Sequence, residues 1–116
     1  MILDQVYATL RGVAADRVYP APAPLGTITP YVTYQLVGAE PIERLSDAPL
    51  GLRNSVQVDC WARSQREAAL LADQVIAAVY AAQDVSARFA GSDSGHEPDT
   101  GLYRASQDWD WWESAP

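Results

Sequence analysis

The hydrophobic period of the chain changes once, abruptly, at Ser64. Across residues 53–63 apolar and polar side chains alternate, with Val56, Val58 and Cys60 on the same side, which is typical of a strand with one buried face. Across residues 64–79 apolar side chains recur at helical spacing, and Ser64 with Glu67 has the form of a capping box. We therefore expect a strand that runs directly into a helix to organise the fold.

The other segments with a regular apolar pattern predict one more helix and three more strands. The helix is expected over residues 2–10, and the strands over residues 30–37, 85–90 and 102–112. The resulting order is helix-strand-strand-helix-strand-strand. This order predicts an α+β fold, and 116 residues fit a single domain spanning residues 1–116.

The connections between these elements differ in character. Prolines at alternate positions predict that residues 18–26 form an extended linker without paired hydrogen bonds. Residues 91–101 are rich in turn-forming residues and predict a loop. Residues 38–51 predict a loop longer than a hairpin requires, and loops of this kind are either functional or mobile.

The charge balance argues against a nucleic-acid-binding surface. The formal net charge is -7, and all eight basic residues are arginine. Such a surface repels phosphate backbones and releases no counterions on binding. No apolar run approaches the length of a membrane span, and the N-terminus lacks the basic region of a signal peptide, so we expect a soluble protein made in the cytoplasm, with no membrane partner.

No constellation of catalytic or metal-binding residues is evident in the sequence. Cys60 is the only cysteine and is expected to be a small core residue. His96 is the only histidine and lies in the predicted loop over residues 91–101, without the three or four converging ligands that a metal needs. We therefore expect no enzymatic activity and no cofactor.

Tryptophan is concentrated in the final strand, where three of the four residues of this type fall within four positions. Alternation places Trp109 and Trp111 on one face of this strand and Trp112 on the other. Tryptophan is enriched at binding hot spots, so we expect the cluster to contact another molecule. The alternative is that it covers the open end of the sheet.

Three stretches resemble the tail-completion family of long-tailed phages and related particles, whose members are also called tail terminators. They are Val18-Tyr-Pro20, Thr29-Pro-Tyr-Val-Thr-Tyr-Gln35, and Val56-Gln-Val-Asp-Cys-Trp-Ala62 followed at once by an alanine-rich helix. The resemblance extends over nearly the whole chain. It implies an antiparallel sheet, here of about four strands, with two helices packed on it. It also implies a structural protein of the virion rather than an enzyme.

The resemblance further implies a homohexameric ring at the head-proximal end of the tail tube. Such a ring ends tube polymerisation, presents a surface for head docking, and leaves a channel through which DNA passes without specific binding. Its partners would be the tail tube protein and head-tail connector proteins, and it would be found in the virion after assembly in the host cytoplasm. A roughly spherical domain of this length has a radius of gyration of about 13 Å, and six such spheres leave a hole about 35 Å wide.

Candidate residues can be assigned to the two surfaces that a ring would need. For the docking surface we choose Glu40, Glu43 and Arg44 in the loop over residues 38–51. For the subunit interface we choose the tryptophans, with three arginines as partners for a neighbour's carboxylates: Trp61, Trp109, Trp111, Trp112, Arg53, Arg63 and Arg104.

Two alternatives stay open at this point. The protein could be a head-tail connector of the neck, because related connectors share much of this architecture. From a different class, it could be a small cytoplasmic ligand-binding or enzyme domain, because a fold does not determine a function. A deep pocket lined by Tyr34, Asp59 and Trp61 would favour that second alternative.

Overall fold

A computed structural model describes residues 2–43 and 49–114 of the chain. These residues form two helices, a 3-10 turn over Val13–Asp16, and one five-stranded sheet. In chain order the elements are α1 (Ile2–Leu10), β1 (Val18–Pro20), β2 (Tyr31–Glu43), β3 (Pro49–Ala62), α2 (Gln65–Ala81), β4 (Ser86–Glu97) and β5 (Leu102–Ser114). The α+β class is confirmed.

The sheet has the order β1-β2-β3-β5-β4 and is mixed rather than antiparallel. β1 pairs parallel with β2, where Val18 lies opposite Val32, and the other neighbouring strands are antiparallel. The prediction of about four antiparallel strands is therefore wrong on β1, which lies in the segment expected to be an unpaired linker. An edge strand tolerates Pro20 because the amide that proline lacks need not face the sheet.

The predicted junction of strand and helix is present. β3 ends at Ala62 and α2 begins at Gln65. Ser64 lies between them in an extended conformation, and its Oγ accepts a hydrogen bond from the backbone N–H of Glu67 at 3.1 Å. This bond satisfies one of the amides left without a partner in the first turn. The buried face of α2 is formed by Ala68, Leu71, Val75 and Val79.

Both helices pack on the same face of the sheet, and the core lies between them and the strands. Cys60 is fully buried there, as expected. Burial, with a further contribution from the nearby Asp59 carboxylate, raises the pKa of the Cys60 thiol to about 12. Since the thiolate is the reactive form, this cysteine is inert at neutral pH.

Strands β2 and β3 extend well beyond the helices. Their pairing continues past a bulge at Val37, from Gly38 opposite Ser55 to Glu43 opposite Pro49. The prediction of a loop over residues 38–51 is therefore wrong for the described part of that segment; residues 44–48, which include Arg44, lie outside the described residues. We call the extension formed by residues 37–43 and 49–54 the arm.

The arm makes the molecule elongated. Its extents are 51 × 25 × 23 Å, and its radius of gyration is 15.1 Å. This value exceeds the ~13 Å expected for a spherical domain of this length. The spherical shape used to estimate the width of a ring's hole is therefore wrong.

The second hairpin is also longer than predicted. β4 continues to Glu97, so most of the expected loop over residues 91–101 is strand, and His96 lies within it opposite Tyr103. A bulge at Ala90, between Phe89 and Gly91, shifts the register. Such a bulge explains why the alternating pattern is not continuous in the sequence.

Candidate subunit interface

The sheet has one face that no described helix covers. Alternation along the strands places three rows of side chains across this open face. The rows are Tyr31, Trp61 and Arg104; Thr33, Asp59 and Ser106; and Gln35, Gln57 and Asp108. They lie on β2, β3 and β5, which are the three central strands of the sheet.

The middle of the open face is buried without a helix over it. Thr33, Asp59 and Ser106 are buried in the chain. The proline segment after β1 folds over this region, and a groove of about 390 Å³ lies between Ala21–Ala23 and the strands. The groove is lined by Asp59 and Trp61 but not by Tyr34, which lies on the helix-covered face. A pocket lined by Tyr34, Asp59 and Trp61 together, which would favour a ligand-binding domain, is therefore not formed by the described residues.

Trp61 is held in place on the open face. Its Nε1 donates a hydrogen bond to Thr33 Oγ1 at 3.0 Å, and its ring stacks on Tyr31 at a centroid distance of 6.1 Å and an angle of 19°. Burial, followed by the nearby Glu97 carboxylate, raises the pKa of Tyr31, so this phenol is neutral at physiological pH. The pair forms a rigid, partly buried aromatic surface, which is suited to binding a partner.

Trp109 and Trp111 lie in the core, with relative exposures of 1% and 0%. The Nε1 of Trp109 donates to Gln107 Oε1 at 3.0 Å, and that of Trp111 donates to Gln5 Oε1 on α1 at 2.8 Å. Buried indoles need such acceptors. Their assignment to a subunit interface is wrong for this structure, because neither side chain has surface to offer. Their alternation with Tyr103 and Ala105 on the same face of β5 was the signal in the sequence that pointed to the core.

Trp112 lies on the opposite face of β5 and is partly buried, beside Arg53 in the register of β3 and β5. Arg53 forms an ion pair with Glu40 across the arm, although the sequence assigned these two residues to different surfaces. Close by, Arg88 and Asp110 form a second pair at 2.9 Å. The charges on this part of the open face are therefore matched within the chain.

The other two candidate arginines lie at the opposite end of the sheet from the arm. The Nε of Arg63 donates to Thr29 Oγ1 at 3.3 Å in an exposed position. The Nε of Arg104 is buried and has no hydrogen-bond partner in the part of the chain that the structure describes. Arg104 Nη2 lies 3.2 Å from the point where a Cβ on Gly95 would stand, so a glycine at this position lets the guanidinium lie across β4.

The described residues contain no cluster of three or more histidine, cysteine, aspartate or glutamate side chains able to hold a metal ion. His96 packs against the ring of Tyr103 at a centroid distance of 4.6 Å. Neither helix of residues 2–43 and 49–114 is long and apolar enough to cross a membrane.

Comparison with known proteins supports one of the classes of function left open by the sequence. The family model described as tail completion protein gp17 matches residues 4–114. The chain belongs to this family. Its class is therefore that of a structural protein of phage tails, as the resemblance in the sequence predicts.

A solved structure shows the same fold as this tail completion protein. It is a chain in the virion of a native gene transfer agent particle, with a TM-score of 0.72 and 17% sequence identity, covering 95% of this chain and 92% of that chain. No curated protein matches the sequence.

Proposed function

We propose that this tail completion protein forms a homohexameric ring at the head-proximal end of the tail tube. There it would end tube polymerisation, dock onto the head, and leave a channel for DNA. The observation that carries this proposal is the family match over residues 4–114, nearly the whole chain. The similarity in fold to a chain of a gene transfer agent virion supports it, since that chain also belongs to an assembled particle.

The shape of the protein is compatible with a ring. Copies joined by heterologous contacts, in which one patch meets a different patch on the neighbour, form a ring when the rotation between neighbours closes. Six copies placed side by side along the 25 Å dimension would leave a hole of about the same width, and copies placed with their long axes around the ring would leave a wider one. Either hole exceeds the width of a DNA duplex. The net charge of -7 lets DNA slide through such a hole instead of binding to it.

The subunit interface in this proposal uses the candidate residues that retain surface. Trp61, Arg63 and Arg104 lie at the end of the sheet where β2 begins, and Arg53 and Trp112 lie on or beside the arm. A heterologous contact requires two separate sets of interface residues, because each copy must present both halves of the interface.

Docking to the head or to the tail tube is assigned to the outer end of the arm. Glu40 and Glu43 lie on the described part of β2 there, and Arg44 follows directly in the sequence. Head-tail connector proteins and the tail tube protein are the expected partners, with assembly in the host cytoplasm before the protein becomes part of the virion. No catalytic step is part of this role.

Tail length tests the proposal most directly. Particles made without this protein should carry overlong tails, because nothing stops tube growth. Finished tails of normal length that fail to join heads would instead identify a head-tail connector of the neck. Normal, head-attached tails of fixed length would overturn both assignments. A complementing copy of the gene should restore the original length.

A further inference from the structure

Two exposed apolar regions lie apart along the length of the sheet. The first is on the arm and beside it, where Leu36, Val37 and Leu52 are exposed, with 55% of Val37 and 40% of Leu52 accessible. We call these three residues the arm patch. All three lie outside the buried core cluster, which includes Val32 and Tyr34 nearer the start of β2. Single exposed apolar side chains are common on proteins, but a cluster of them marks an interaction surface.

The second region surrounds the start of α2. A groove of about 370 Å³ runs between the 3-10 turn and α2, with Arg17, Pro30 and Leu70 among its lining residues. Leu70 is 51% exposed, and Ile28, two residues before Pro30, is 72% exposed. Arg17 Nε donates to the carbonyl of Pro30 at 2.8 Å, so its guanidinium is held at the groove. We call this region the receptor groove.

One chain cannot bring these two regions together. Leu52 of the arm patch pairs with Pro41, which lies eleven positions along β2 from Pro30 in the receptor groove. At about 3.3 Å per residue this separation is about 36 Å. On either side of the bulge at Val37 the strand between them is paired with β3, which holds the two regions apart.

The charges at the two ends complement each other. Of the seven arginines in residues 2–43 and 49–114, five lie at the end that holds the receptor groove: Arg11, Arg17, Arg63, Arg66 and Arg104. The arm end has the opposite balance, with Glu40, Glu43, Asp110 and Glu113 against Arg53 and Arg88. Contact between unlike ends is favoured, and contact between two arms is disfavoured.

We infer that the arm patch of one copy packs into the receptor groove of the next copy in the ring. This inference rests on the proposed ring and adds two further surfaces to the candidate interface residues named there. Because the two surfaces differ and lie apart on each chain, the contact is heterologous. It therefore repeats from copy to copy instead of ending at a dimer, and it gives a ring when the rotation between neighbours closes.

Cysteine cross-linking tests the inference on the full chain. The variants Leu52→Cys and Leu70→Cys each place one accessible thiol on one surface, and Cys60, buried with a raised pKa, gives no background reaction. With a short bismaleimide, each single variant alone should give no cross-link, and a mixture of the two should give dimers only. The double variant should give a ladder that ends at the hexamer.

Three outcomes would overturn the inference in different ways. Dimers from Leu52→Cys alone would show a two-fold contact between arms. A hexamer of the expected mass in light scattering, without a ladder from the double variant, would show that the ring uses other surfaces; the proposed ring would then stand. A protein that stays monomeric at high concentration would overturn both proposals.

A charged substitution provides a second, independent measurement. Leu70→Glu should raise the concentration at which the ring dissociates by more than tenfold, because it places a charge in an apolar contact. Ala69→Glu is the matched control, since it adds the same charge at the neighbouring exposed position, which lines a different groove facing β4 and β5. Equal effects of the two variants on dissociation would contradict the inference. Unchanged melting of both variants in the monomer confirms that each folds.

Discussion

The two faces of the sheet use the same residue types for different purposes. On the covered face, Trp109 and Trp111 are fully buried and each donates its indole N–H to a glutamine side chain. On the open face, Trp61 and Trp112 are partly buried and lie beside arginines in neighbouring strands. The contrast shows that a tryptophan-rich strand is not by itself evidence of an interface. The face on which each indole lies decides whether it stabilises the monomer or is available to a partner.

The largest expected effect is on the covered face. Trp111→Ala should lower the free energy of unfolding by about 3–5 kcal/mol. The substitution leaves a cavity, and it removes the indole N–H that donates a hydrogen bond to Gln5 Oε1. Urea denaturation followed by circular dichroism measures this loss. A loss below about 1 kcal/mol would show that Trp111 is not a core residue and would restore it as an interface candidate.

A smaller effect on stability, due to Cys60 on the same face, appears only at alkaline pH. The pKa of Cys60 is raised to about 12 in the folded protein from an ordinary value of 9.0. Above pH 9 the unfolded chain loses this proton while the folded chain keeps it, so stability falls as the pH rises. At 1.36 kcal/mol per pH unit the loss attributable to Cys60 is about 2 kcal/mol at pH 10.5.

Urea unfolding at pH 8 and pH 10.5 isolates this contribution when the natural protein is compared with Cys60→Ala. The variant keeps Tyr31 and Tyr34, whose pKa values are also raised by burial. The tyrosines therefore contribute equally to the pH dependence of stability in both proteins. The variant should lose less stability across this range. Equal losses would mean that the thiol is not desolvated as described.

On the open face, substitution should separate folding from assembly. Trp61→Ser removes the stacking on Tyr31 and the hydrogen bond to Thr33, and should cost the monomer about 1 kcal/mol. The same substitution should abolish the hexamer in light scattering at concentrations where the natural protein assembles. Unfolding of the monomer by Trp61→Ser would place this indole in the core and refute its assignment to the interface.

The smallest expected effect concerns the ion pair on the arm. Arg53→Gln breaks the pair with Glu40, and because both side chains are well exposed the stability of the monomer should change by less than about 0.5 kcal/mol. Thermal melting of the monomer checks this expectation. A loss of several kcal/mol would show that the arm contributes to the core, and the contrast between the two faces would be weaker than described.

Some elements of the fold were predicted correctly from the sequence and others were not, and the difference has a physical reason. The cap at Ser64 involves atoms three residues apart, so its sequence signature is local and was read correctly. The pairing of Val18 with Val32, or of Glu40 with Arg53, joins residues more than ten positions apart. Nothing in the local pattern of residues 38–51 distinguishes a loop from two paired strands, because the hydrogen bonds that stabilise the arm come from the partner strand.

By itself, the sequence determined the α+β class, the junction of strand and helix at Ser64, the burial of Cys60 and the tail completion family. Those features depend on the periodicity of apolar residues, on contacts between residues close in the sequence, or on short sequence motifs. Only the tertiary structure decided that β1 joins the sheet in parallel, that the arm is strand, and that Trp109 and Trp111 fill the core while Trp61 and Trp112 do not. Alternation separates the two faces of a strand, but the helices decide which face is buried, and they pack on one side only.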